Sequence, residues 1–129
     1  MTDVEFARAF ERGEIAPSAF THQSHVRLAW VYLQEGPTFD AALSRIRDGI
    51  QRFAAAAGVS QKYHETITVA WMTLLDKARA SIDSSCAFDE LLRRVPELSD
   101  KDLPLKYYTR ERLFSDEARA GWILPDTPI

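Results

Sequence analysis

Three histidines are the side chains of this sequence best suited to metal or proton chemistry, and they fall in two short motifs. These are Phe20-Thr21-His22-Gln23-Ser24-His25-Val26-Arg27 and Tyr63-His64-Glu65-Thr66-Ile67-Thr68. The chain has no other histidine. Neutral imidazole binds metals, and imidazole titrates near pH 7, where it can act as acid or base. If helices carrying the motifs pack side by side, the rings can meet. His22, His25 and His64 are therefore candidate ligands of one divalent transition metal (zinc, iron, copper or nickel) or candidate acid–base groups. Separate structural roles, as caps or packed rings bonded to backbone, are the alternative. Neither motif places an inward carboxylate as a fourth ligand.

Helical geometry supports convergence. His22 and His25 are about 60° apart around a helix, and Val26 and Ala29 lie about 40° and 20° from His22. Both rings thus share the stripe expected to face the core. They sit in a first turn, where the helix dipole disfavours positive charge and so favours neutral imidazole. His64 lies about 20° from Trp71, again inward, with Thr68 one turn further on. Glu65 points to the flank. Arg27 points about 160° from His25 and reads as a salt-bridge residue.

Hydroxyls and cations could complete a pocket. Tyr63, Thr66 and Thr68 flank His64, and Tyr107 and Tyr108 precede Thr109-Arg110-Glu111-Arg112. Imidazoles, phenols and a guanidinium together can bind a carboxylate or phosphate and pass protons. The candidate catalytic set is His22, His25, His64 and Tyr63, with Thr68, Tyr108 and Arg112 orienting the substrate. The plainer reading makes Thr66 and Thr68 back-bonded helix residues and has the tyrosines pack the tail. Gly-rich phosphate loops, G-x-S-x-G, CxxC and HExxH are absent from the sequence.

The elements that must position these groups read as helices. Thr2-x-x-Glu5 is a capping box opening a helix that Gly13 ends. A second runs from about Thr21 to Gln34 with Val26, Ala29, Trp30 and Leu33 on one face. Thr38 caps a third, whose stripe is Ala42, Ile46, Ile50, Phe53 and Ala57 and which Gly58 closes. Ser60 is the expected cap of a fourth, with Ile67, Ala70, Trp71, Leu74 and Ala78 facing inward. A loop over Ser81–Ser85 and a short helix broken at Pro96 follow, with Asp89 placed to pair with Arg93. Thr109 and Ser115 cap two short helices, and Trp122-Ile123-Leu124-Pro125 brings an apolar tail back. That tail is expected to fold over the histidine end and bring a cation, Arg112, to an anionic ligand. Strand-like alternation is missing.

Composition sets the class. A chain of 129 residues, 46 % hydrophobic, suits one soluble domain with a sizeable core. The start is polar and acidic, without the features of a signal peptide, and no stretch reaches transmembrane length, so a cytoplasmic protein with no membrane partner is expected. Sixteen basic against nineteen acidic residues argue against a nucleic-acid partner. The single cysteine, Cys86, cannot form an internal disulfide and reads as structural. Oligomeric state is not encoded in any pattern.

The strings Phe20-Thr-His-Gln-Ser-His-Val-Arg-Leu-Ala-Trp, Tyr63-His-Glu-Thr-Ile-Thr and Tyr108-Thr-Arg-Glu-Arg-Leu-Phe-Ser-Asp-Glu-Ala-Arg, with Pro125-Asp126 near the end, resemble a family of small uncharacterised bacterial all-helical proteins. That resemblance brings no reaction with it. A more distant similarity is to the DinB-like bundles, which hold a metal with three histidines from different helices; only the ligand count and the all-helical character match. The expectation is an all-α, compact single-domain bundle spanning 1–129, with four main helices and short C-terminal ones. Its expected function is a small enzyme with a histidine-lined pocket for a small polar or anionic molecule, with or without a metal. The alternative is a non-catalytic helical module binding a small molecule or partner protein.

Overall fold

A computed structural model describes residues 1–82 and 85–129; Asp83 and Ser84, in the expected loop over Ser81–Ser85, lie outside the described residues. Local capping sets most of the boundaries. Thr2 Oγ1 accepts from the Glu5 amide and Glu5 accepts from the Thr2 amide, opening α1 (Asp3–Glu11). Thr21 and Ser24 make the same reciprocal pair at the start of α2 (His22–Glu35). Thr38 caps α3 (Phe39–Ala56) through the Ala41 amide. Each such cap stabilises its helix by about 1 kcal/mol. At the end of α3, Gly58 takes φ +74°. There the Val59 amide reaches the Ala54 carbonyl and the Gly58 amide reaches that of Ala55, a Schellman closure that only glycine enters without strain.

Four further helices complete the all-α architecture among the described residues: α4 (Glu65–Ser81), α5 (Phe88–Arg94), α6 (Arg110–Leu113) and α7 (Asp116–Ala120). Seven α-helices are thus seen, four of 9 to 18 residues and three of seven or fewer. Short 3-10 turns at 17–19, 60–62, 96–99 and 103–106 join them. Thr109 and Ser115 cap α6 and α7 as expected. The expected Asp89–Arg93 pair is replaced: Arg93 and Arg94 both bind Glu90. No helix among the described residues is long and apolar enough to cross a membrane.

The core is organised around α2, which packs on α1, α3 and α4. Its burial exceeds one stripe: Val26, Leu28, Ala29, Trp30, Val31, Tyr32 and Leu33 are all buried. A helix covered on nearly every side is a central one. Trp30 hydrogen-bonds the Cys86 carbonyl through Nε1 at 3.0 Å, so its polar atom does not oppose burial. Tyr32 donates to Glu11 at 2.7 Å beneath the Arg45 guanidinium, 4.0 Å above its ring. Arg27 leaves the histidine side and pairs with Asp3 at 2.7 Å. Ile46 and Trp71 are buried, whereas Ile50 and Phe53 on α3 are only half covered and border cavities.

Candidate functional site

Ser60 does not cap α4. It begins the 3-10 turn Ser60–Lys62, and the cap is His64, whose Nδ1 accepts the Ile67 amide at 3.1 Å. An Nδ1 that accepts carries no proton, so the ring is the Nε2–H tautomer. That Nε2–H donates to the Leu113 carbonyl at 2.7 Å. His64 is buried at 7 % exposure, and burial lowers its pKa, keeping it neutral. Both ring nitrogens therefore hold structure: one starts α4, the other anchors the end of α6.

His25 is placed differently. It lines a cavity of about 270 Å³ with Lys62, Tyr63, His64 and Thr68, over apolar walls from Ile50, Ala54 and Ile67. Its ring packs obliquely on Phe20, centroids 6.1 Å apart. No hydrogen-bond partner of its imidazole is found among the described residues, and its pKa is pushed down to about 4, first by burial and then by nearby His22. At neutral pH it is an uncharged ring with one donor and one acceptor available. Thr68, expected to orient a substrate, donates to the His64 carbonyl at 2.9 Å, the back-bonding of the plainer alternative.

His22 belongs to another environment. Its ring lies 4.8 Å from that of Trp71, and burial lowers its pKa, partly opposed by the Leu98 backbone. Its Nε2 is the buried side-chain nitrogen or oxygen without a partner among the described residues. The 60° between His22 and His25 is enough to send one ring to Trp71 and the other to the cavity. Among the described residues, no group of three or more His, Cys, Asp or Glu side chains is arranged to hold a metal ion.

Tyr63 forms the wall between this cavity and a wider polar cleft of about 680 Å³ containing Arg47, Glu65, Gln51 and Arg119. Its hydroxyl donates to Glu65 at 2.5 Å, and Glu65 is gripped by Arg47 through Nε at 2.9 Å and Nη2 at 2.5 Å. Arg47 and Tyr63 hold the Glu65 carboxyl below its ordinary range. Burial, then the bond to Glu65, pushes the Tyr63 phenol up to about 12. Glu65 does point to the flank, and that flank is α3.

The C-terminal segment does reach the histidine end. Buried Thr66 donates to the Gly121 carbonyl at 2.8 Å and accepts the Ile123 amide at 3.2 Å, clamping the tail to the first turn of α4. Tyr108 and Arg112 serve the same tail: the phenol donates to the Ile123 carbonyl at 2.8 Å and Arg112 Nε to that of Leu124 at 2.6 Å. Neither lines the histidine cavity, where the cation is Lys62. Sequence reasoning gives no role to Lys62 or to Thr66 as a clamp, and reads Arg47 as part of a solvated face, where it instead grips Glu65. Lys62 carries a local signal, standing two residues before His64; the partners of Arg47 and Thr66 are distant in sequence and carry none.

Compared with family models, curated proteins and solved structures, the chain finds no match in any of the three. Nothing in those comparisons therefore bears on the resemblances drawn from its strings.

Proposed function

We propose that the protein is a helical small-molecule-binding module whose ligand is a compact molecule with one anionic or strongly polar group, held in the cavity between His25 and Lys62. The observation that carries this reading is the unpartnered, neutral imidazole of His25 facing a space that also contains an ammonium. Lys62 offers charge, His25 offers a directional donor or acceptor, and Ile50, Ala54 and Ile67 offer an apolar floor. The volume sits just below the usual range of roughly 300–1,000 Å³ for ligand sites, which favours a ligand of few heavy atoms. The ionisable side chains with shifted pKa values around it, His25, His64, Tyr63 and Glu65, are all tuned away from neutrality. Efficient acid–base catalysis prefers a group near the working pH, so binding ranks ahead of chemistry.

Catalysis is the second reading, and the free His25 nitrogen favours it: a bound anion would stabilise imidazolium and raise its basicity. In a metal-dependent form, His22 and His25 are the rings with nitrogens to offer, and His64 would have to release the Ile67 amide or the Leu113 carbonyl. The test of the main reading is calorimetric titration with inorganic phosphate and short carboxylates. His25→Leu should abolish binding, and Lys62→Met should weaken it roughly tenfold through loss of a charge-assisted contact. If no anion binds, or if both variants bind as the parent does, the reading fails.

A further inference from the structure

About 100° round α3 from Ile50 and Ala54, a second cavity of about 400 Å³ opens between the end of α1, the segment 13–17 and the second half of α3. Phe10, Ile15, Phe53 and Ala56 supply apolar walls. Phe10 and Phe53 belong to an aromatic cluster: Phe10 stacks on Phe20, behind the wall, at 5.1 Å, and Phe53 approaches Phe10 at 5.3 Å and Phe20 at 4.8 Å. Gly49 makes this possible. A Cβ there would stand 3.1 Å from Phe10 Cε2, so the missing side chain lets the Phe10 ring lie against the helix backbone.

The charge at the mouth is not balanced. Arg12 pairs with Glu14, and Glu11 is occupied by Arg8, Arg45 and the Tyr32 hydroxyl. Arg52, in contrast, has no ion pair among the described residues. Its Nη2 comes within 4.0 Å of the same Gly49 Cβ position, which sets the guanidinium across the opening. A simple packing gap would be indifferent to charge; an apolar hole with one uncommitted guanidinium at its lip discriminates.

We infer that this cavity is a ligand site separate from the histidine pocket, and that it takes a compact apolar acid, an aryl or medium-chain alkyl carboxylate. The ring or chain replaces water over Phe10, Phe53 and Ile15, and the carboxylate pairs with Arg52 in the two-pronged geometry guanidinium favours. Its volume lies inside the usual range for small-molecule sites.

The experiment titrates 1-naphthoate and the neutral 1-naphthalenemethanol by calorimetry into the full chain and into Arg52→Ala and Ala56→Trp. The parent should bind the acid saturably and more tightly than the alcohol. Arg52→Ala should weaken the acid roughly tenfold and the alcohol less than twofold, the signature of a charge-assisted contact. Ala56→Trp, which fills the cavity from an exposed helix position, should abolish both with the circular dichroism spectrum retained. If Ala56→Trp does not fold, the acid–alcohol contrast in Arg52→Ala still decides. Equal effects of Arg52→Ala on both compounds, or no saturable binding of either compound, overturns the inference.

Discussion

Replacing His64 by alanine removes three things at once. The Ile67 amide loses its cap acceptor, which costs about 1 kcal/mol in typical helices. The Leu113 carbonyl, paired at 2.7 Å with a buried nitrogen, is left without its partner, at roughly 1–3 kcal/mol. The ring itself is buried, so a void follows. The first two alone sum to about 2–4 kcal/mol, a large share of the stability of a domain this size, and the void adds to them. His64→Asn separates the terms. Asparagine is among the best N-caps but is too short to reach Leu113, so it should recover about 1 kcal/mol of the loss. Urea unfolding, followed by helix signal and by tryptophan fluorescence, measures both variants. Equal destabilisation by alanine and asparagine would refute the cap assignment. An alanine variant within about 0.5 kcal/mol of the parent would refute the structural role of the ring altogether.

Three further expectations follow from the same residues. All three histidines have folded pKa values below their unfolded ones, so the unfolded chain takes up protons first; stability is complete above about pH 6.5 and falls as pH drops toward 4, where His25 finally charges. His25 contributes up to about 3 kcal/mol of that loss, since its ring opens on a cavity that solvent can relax, and urea unfolding of His25→Gln between pH 7 and 4.5 should show a correspondingly flatter profile. Arg112→Ala removes the bond to the Leu124 carbonyl from an exposed side chain; it should cost about 0.5–1 kcal/mol in the same assay and leave calorimetric anion binding unchanged. With His64 committed at both nitrogens, a chelator should leave the melting temperature of tag-free protein where it is; a drop that His25→Ala abolishes would instead establish a metal held by the histidines.

The features legible in the sequence were the ones decided locally. Thr2, Thr38, Thr109 and Ser115 cap helices because the groups they bond lie three residues away, and Gly58 closes α3 for the same reason. Of the residues expected to share one pocket, His25, Tyr63, His64 and Thr68 line one cavity, whereas His22, Tyr108 and Arg112 do not. By residue type Ser60 is the better cap, and the contact that favours His64 comes from Leu113, 49 residues on, which no local pattern carries. Burial of α2 on nearly all sides was invisible for a related reason. Its Leu28, Val31 and Tyr32 lie off the stripe that periodicity selects, and only the packing of α1, α3 and α4 around it covers them. The split between His22 and His25 shows how coarse an angular argument becomes in a first turn, where neighbouring positions meet different elements.

The first turn of α4 combines the assembly of the fold with the making of the cavity. Thr66 and His64 hold the tail and the end of α6, while Tyr63, one residue before the cap, is fixed as a cavity wall by Glu65 and Arg47. Histidine suits the cap because a second ring nitrogen can reach Leu113 from the same residue, which threonine or serine could not do. That commitment removes one imidazole from the chemistry and leaves His22 and His25 with nitrogens to offer, of which only His25 borders the cavity. At the cavity, the neutral, doubly bonded ring of His64 holds the shape, and on the function proposed above the unbonded ring of His25 would meet the ligand. Loosening the Arg47–Glu65 grip would free the phenol that separates the cavity from the wider cleft, so the shape of the cavity depends on an ion pair outside it.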